Sequence, residues 1–305
     1  MDSIFDAPST WNDIRSQLGR LLHKPGQDRL FAGKMTLLAA QISQLIDQNT
    51  DGAIFSIMQF DRSDYGVTHS LQSAVICDIY GTVLNWSVPE RLSAIGAALT
   101  MNIAMLPLQQ HLLQQEEPPT PEQQQAIRMH PVRGRELLQK LGVYDERWLQ
   151  VVAEHHESVD GKGYPTGMTA PSDIAAALNL CDRYCAKISR RRYRDALPPE
   201  WAIHELRQMS SGSAREAVDL IVQAVGLYPP GTFVELANGE TAVVASRAGA
   251  HGTPRVFAVR DVHGSELDPI PRDATRPEFA IQGTAKQIST STSATWPKLM
   301  VPGLS

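Results

Sequence analysis

The chain reads as an all-α helical bundle followed by a small C-terminal β appendage. Three observations predict this. From about residue 10 to 226, apolar residues recur at three- and four-residue spacing between capping and turn signals, the period of helices that share a core. Past residue 227 the period falls to two, around Phe233-Val234-Glu235-Leu236 and Thr241-Ala242-Val243-Val244. With 305 residues, 42% of them hydrophobic, the chain can fill a sizeable interior.

The helices follow in order. Thr10-Trp11-Asn12-Asp13 reads as a cap, and Ile14, Leu18, Leu21 and Leu22 then keep helical spacing as far as Lys24-Pro25-Gly26. A second helix is expected from Asp28 to Gln48, with a turn at Asn49-Thr50-Asp51-Gly52 and a third helix through Ile54, Ile57 and Phe60. Tyr65 to Trp86 forms the next and carries His69. Ser87-Val88-Pro89-Glu90 is a capping box with proline in the first turn, so a helix runs from about 88 through Met101. After the linker Pro118-Pro119-Thr120-Pro121 another helix is expected to end near Met129, because Pro131 disfavours helical geometry before it and leaves His130 at a kink. Asp145 opens a helix ending in His155 and His156, Ser172 caps one that carries Asp182, and two more start near Pro199 and Ala214.

In the appendage, Asn238-Gly239 suits a two-residue type I′ hairpin turn, and Val256 to Val259 makes a third strand. The tail after Pro277 lacks periodicity and is rich in Ser and Thr. The expected organisation is therefore N-terminal helices over 1–50, the main helical domain over 51–226, the β appendage over 227–275, and a flexible tail over 276–305.

A net charge of −5 and a sequence pI near 6.0 give no overall basic field, which argues against a nucleic-acid binder. There is no apolar run of about 18 residues and no basic-then-apolar start, so no membrane partner is expected and the expected location is the cytoplasm. Cys77, Cys181 and Cys185 sit in apolar helical patterns and read as reduced core thiols, although the spacing of the last two also allows one metal.

The chemistry concentrates in His155-His156-Glu157-Ser158-Val159-Asp160-Gly161-Lys162-Gly163-Tyr164-Pro165. Adjacent imidazoles at a helix end can serve one pocket, and imidazole is a common divalent-metal ligand. This block resembles the signature of the HD-GYP family of cyclic-di-GMP phosphodiesterases. His130-Pro131, Gly134, Asp182-Arg183-Tyr184 and Gly226-Leu227-Tyr228-Pro229-Pro230-Gly231 continue the resemblance in the right order, over roughly residues 50 to 270.

The resemblance implies an HD-type bundle holding two or three divalent metals, with a bridging hydroxide that attacks the phosphodiester. It carries His130, His155 and His156 over as ligands of one metal, and His69 and Asp182 as ligands of another. Arg191 and Arg194 match the family's ligand-binding basic positions, and arginine suits both guanine and phosphate.

The family's Leu-Leu-His-Asp-Ile-Gly-Lys run stands here as Leu99-Thr100-Met101-Asn102-Ile103-Ala104-Met105. Met101 replaces the histidine, Asn102 the aspartate and Met105 the lysine. A neutral amide cannot supply the shared anion that offsets repulsion between metals about 3.5–4 Å apart. Thioether sulfur is a poor ligand for hard or borderline cations. Met105 also removes a phosphate-neutralising cation, a loss worth about a hundredfold or more in rate.

Three function classes follow. The first is a catalytically impaired member acting in cyclic-di-GMP signalling as nucleotide receptor or regulatory partner. The second is a phosphodiesterase with a reduced, single-metal site, and the third is a ligand-free interaction scaffold. The expected cofactor is none or one divalent transition-metal ion on His130, His155 and His156, which read equally well as hydrogen-bonded bundle residues. The loop of Asp160, Gly161, Gly163, Tyr164 and Pro165 is read either as architecture that leaves Tyr164-Pro165 exposed or as a docking surface for a diguanylate cyclase or other signalling protein.

Overall fold

The computed structural model describes residues 7–60, 64–189, 196–210, 212–248 and 252–285. Its helices are α1 (Ala7–His23), α2 (Phe31–Gln48), α3 (Thr50–Met58), α4 (Tyr65–Val83), α5 (Val88–Thr100), α6 (Leu106–Leu112), α7 (Pro121–Lys140), α8 (Glu146–Glu154), α9 (Asp173–Ile188), α10 (Pro199–Gln208) and α11 (Ser213–Val225). An antiparallel sheet follows, built from β1 (Phe233–Leu236), β2 (Thr241–Ser246), β3 (Arg255–Arg260), β4 (Glu266–Arg272) and β5 (Ile281–Thr284). The expected helical bundle with a β appendage is what the chain forms.

Helix α4 is the axis of the bundle. It is buried on nearly every side, and a helix of that kind has to be surrounded. Helices α5, α9, α11, α3 and α1 pack around it. The start of α5 is the expected capping box, in which Glu90 accepts from the Ser87 backbone N–H at 2.8 Å. Arg91 on α5 then grips the buried Asp78 on α4 with bonds of 2.8 and 2.7 Å, and also reaches Asp47 on α2 at 2.7 Å. The Trp148 indole N–H donates to Thr100 Oγ1 at 2.8 Å and ties α8 to the end of α5.

Several boundaries differ from the sequence expectation. Helix α1 begins at Ala7, so Thr10 lies within it, and α2 begins at Phe31 after a short 3₁₀ turn at Pro25–Gln27. Asn49 is a cap rather than part of a free turn, its side chain accepting from Gly52 N at 2.8 Å at the start of α3. Helix α7 does not end at Met129 but runs through Pro131 to Lys140. Proline deprives the carbonyl four residues earlier of its donor, and here that Ile127 carbonyl is taken up by the His130 ring.

The sheet is larger than expected, five strands in the order β4-β3-β2-β1-β5. Strand β4 escaped notice because Pro269 and Pro271 interrupt its pattern, which is tolerated on an edge strand. Strand β5 lies inside the stretch read as tail, so the sheet reaches past residue 275. The hairpin turn also differs from type I′. Leu236 N bonds to Glu240 O at 2.9 Å around three residues, and Gly239, at φ +87°, has the left-handed conformation while Asn238 does not. The sheet docks on α3 through Phe55, Phe233, Val243 and Val259, and Arg247 fastens it to Asp51 at 2.6 Å.

Candidate functional site

His130 on α7, His155 at the end of α8 and the adjoining His156 converge, with one ring nitrogen of each lying within 4.8 Å of the others. His130 Nδ1 lies 2.6 Å from Ile127 O, and His155 Nδ1 lies 2.7 Å from Val152 O. A carbonyl only accepts, so both Nδ1 atoms carry the proton and both Nε2 atoms present lone pairs. Those two Nε2 atoms face each other at 3.1 Å.

Burial lowers the pKa of all three imidazoles. For His130 the value falls to about 3, with the neighbouring His155 adding to the effect. Burial likewise dominates at His155 and His156. The rings are therefore neutral donors near pH 7, the form in which imidazole binds a metal. Three such donors within reach of one another could hold a metal ion. Among the described residues no other group of three His, Cys, Asp or Glu converges in this way, and the buried cysteines are not part of it.

His69 on α4 and Asp182 on α9 form a second, separate pair. His69 Nε2 and Asp182 Oδ1 are 2.7 Å apart in a buried bond, and Tyr65 stacks on the His69 ring at 5.3 Å. Burial pushes the Asp182 carboxyl up, but the His69 hydrogen bond and the nearby imidazoles outweigh it and hold the group well below the usual carboxylate range. His69 Nδ1 is buried without a hydrogen-bond partner.

A cleft of about 560 Å³ joins the two clusters, and its lining includes His69, Asn102, Met105, His156, Tyr164 and Asp182. Asn102 is 3% exposed and its Oδ1 has no partner. Met101 does not line this cleft. It follows the last turn of α5 with 0% exposure and packs within the core. The cleft therefore receives an amide from residue 102 and a thioether from residue 105.

The glycine-rich loop is folded inward and not exposed as expected for Tyr164-Pro165. Tyr164 and Pro165 are half-buried, and the Tyr164 ring leans on His156 with centroids 4.6 Å apart. Tyr164 N also donates to His156 O at 3.0 Å. Gly163 is required by close approach, since a Cβ there would come within 2.5 Å of Glu157 Cα and 2.6 Å of His156 O. Asp160 Oδ1 accepts from Ser158 Oγ at 2.6 Å and Lys162 N at 3.1 Å, closing a turn in which Gly161 has φ +71°.

Two contributors were missed from sequence. Glu157, 2% exposed, accepts from Thr166 N (2.7 Å), Thr166 Oγ1 (2.8 Å), Gly167 N (3.0 Å) and Met168 N (3.2 Å), and so clamps the far side of the loop. Asn179 on α9 donates to His155 O at 2.7 Å. The available signal was a carboxylate flanked by glycine-rich chain with unassigned N–H donors. Arg191 and Arg194 lie outside the described residues.

Comparison with known proteins gives the chain's relatives. The HD domain family matches residues 41–213. A cyclic di-GMP phosphodiesterase of Pseudomonas aeruginosa is 27% identical over 227 residues, 71% of this chain and 55% of that protein. A 3′3′-cGAMP-specific phosphodiesterase of Vibrio cholerae is 27% identical over 171 residues, 55% of this chain and 37% of that protein. The chain thus spans roughly a third to a half of these relatives' lengths. A HDG"Y"P protein of Bdellovibrio bacteriovorus shares the fold, with a TM-score of 0.58 at 14% identity over 69% of this chain and 68% of that one. No helix among the described residues is long and apolar enough to cross a membrane. With three histidines converging from α7 and the end of α8 and a family match over more than half of its length, the chain belongs to the HD domain family.

Proposed function

We propose that the chain is a catalytically impaired HD protein of cyclic-dinucleotide signalling, which holds one divalent transition-metal ion and binds its ligand in the cleft. His130, His155 and His156 would hold the ion. Bound there, it would act as a Lewis acid toward a phosphate oxygen. The observation that carries the reading is Asn102, a neutral amide with an unpartnered carbonyl in the cleft that touches both the histidine cluster and the His69–Asp182 pair. An amide offers no charge to bridge two ions, and without a bridge their repulsion is not offset. The His69–Asp182 pair alone is a sparse ligand set.

The chain's own residues then account for ligand affinity. Arg191 and Arg194 are proposed as guanine and phosphate contacts, since the guanidinium plane and fork suit both. The inward anchoring of the Tyr164 loop supports architecture over docking for that segment. The test is calorimetry of the metal-loaded chain with cyclic di-GMP and with 3′3′-cGAMP, together with chromatographic assay of linear products. Saturable binding without turnover is expected. Turnover of about 1 s⁻¹ or faster replaces the reading with a single-metal phosphodiesterase, and absence of binding at high ligand concentration replaces it with an interaction scaffold.

A further inference from the structure

We infer that Arg128 is an anion contact of the cleft, gripping the phosphodiester that the histidine-held ion also faces. This rests on the proposed ligand class and adds to it a residue that the glycine-rich signature does not contain. Arg128 lies on α7, beside the cleft-lining Ile127 and two residues before His130. Its Cζ sits 5.6 Å from the centroid of the Tyr164 ring, which in turn lies 4.6 Å from His156 and 6.4 Å from His130. One aromatic ring therefore links the guanidinium to the histidine cluster.

Two further facts separate Arg128 from an ordinary surface arginine. Its side chain is exposed, and among the described residues it forms no ion pair with an acid, so its donors are open to a ligand. A guanidinium stacked on a ring is restrained, and binding then forfeits less side-chain entropy. The described lining of the cleft contains no lysine or arginine, and its carboxylates are Glu116, Glu117 and Asp182. A phosphodiester anion entering that space meets negative charge on the rim and needs a cation placed beside the metal site. Met105 cannot supply it, and Arg128, though not itself in that lining, flanks it through Ile127 and the Tyr164 ring, which are.

The experiment uses the full chain loaded with one equivalent of Zn²⁺, as wild type, Arg128→Gln and Arg128→Lys. Each is titrated calorimetrically with cyclic di-GMP and separately with inorganic phosphate, at two salt concentrations. Metal content and melting temperature are measured alongside. The expected result is at least a tenfold loss of cyclic di-GMP affinity in Arg128→Gln and weaker salt dependence, since one charge contact is removed. Arg128→Lys should lie between the two, with metal content unchanged throughout. Equal dinucleotide binding by wild type and Arg128→Gln overturns the inference and leaves the proposed function standing. Phosphate binding that needs Arg128, in a protein that takes no dinucleotide, upholds the anion contact and removes the ligand class. Failure of the wild type to bind either probe overturns both.

Discussion

The Nε2 atoms of His130 and His155 face each other at 3.1 Å. Each ring has committed its proton to a backbone carbonyl through Nδ1, Ile127 O for one and Val152 O for the other. Two opposed lone pairs repel, and burial keeps either ring from relieving the repulsion by taking up a proton. A divalent cation removes the conflict. The proline in α7 contributes directly, because Pro131 lacks the N–H that would otherwise occupy the Ile127 carbonyl.

The purified chain is therefore expected to contain fewer than two metal ions, since Asn102 offers no bridging charge and Met101 lies in the core. His130→Ala should abolish stoichiometric metal, while His69→Ala, which touches only the pair with Asp182, should lower occupancy far less. Elemental analysis after desalting settles it. Two stoichiometric transition metals per chain would refute the single-site reading.

The metal-free chain should lose stability as pH falls below about 6.5. Burial lowers the folded-state pKa of His130 to about 3, whereas the unfolded chain protonates near 6.5. Between those values the unfolded state binds more protons, so stability is fully present above the upper value and declines toward the lower one. The slope is on the order of 1.4 kcal/mol per pH unit for each such histidine. Urea midpoints at pH 7, 6 and 5 in the presence of chelator should fall accordingly. His130→Asn should flatten the profile, and an unchanged slope in that variant would mean that other groups set it.

Glu157→Ala should destabilise the chain by roughly 3 kcal/mol or more, because four donors lose a buried carboxylate acceptor and charged hydrogen bonds are worth about 1.5–3 kcal/mol each before non-additivity. Metal affinity should fall with it, since the loop that seats Tyr164 on His156 is the one Glu157 clamps. Chemical denaturation and a competitive zinc titration measure the two effects. Full zinc affinity in a folded Glu157→Ala chain would show that the loop does not position the histidines.

The helices were legible in the sequence because their caps and periods are local signals, as at Ser87 and Glu90. The histidine cluster was legible by residue type and order. What the sequence hid was set by tertiary contacts. The continuation of α7 through Pro131 depends on a ring nitrogen replacing a backbone donor, which no spacing rule encodes. The inward fold of the Tyr164 loop depends on Glu157, whose partners lie nine to eleven residues onward. Strand β4 carries two prolines and is held by pairing with β3, so its own residues contradict its conformation. The core position of Met101 was equally hidden, because alignment to a ligand position says nothing of where a different side chain will turn.

On the proposed reading, hydrolysis requires more than the bridging group. Asn102→Asp alone places a carboxylate at a site that is 3% exposed and has no cation in the metal-free chain. An unpaired buried charge is costly, so this variant should melt lower than wild type with chelator and regain stability as divalent metal is added. It should not turn over cyclic di-GMP, because residue 101 still lacks an imidazole and residue 105 a cation. The combined change Met101→His, Asn102→Asp and Met105→Lys supplies the bridge, the ligand and the phosphate partner together. The new imidazole must leave the core packing of Met101 and turn to the cleft, which added metal favours by coordination. Measurable turnover that appears only in the triple variant, together with a second equivalent of bound metal, is the expected outcome. Turnover by Asn102→Asp alone would mean that the bridge was the single missing part.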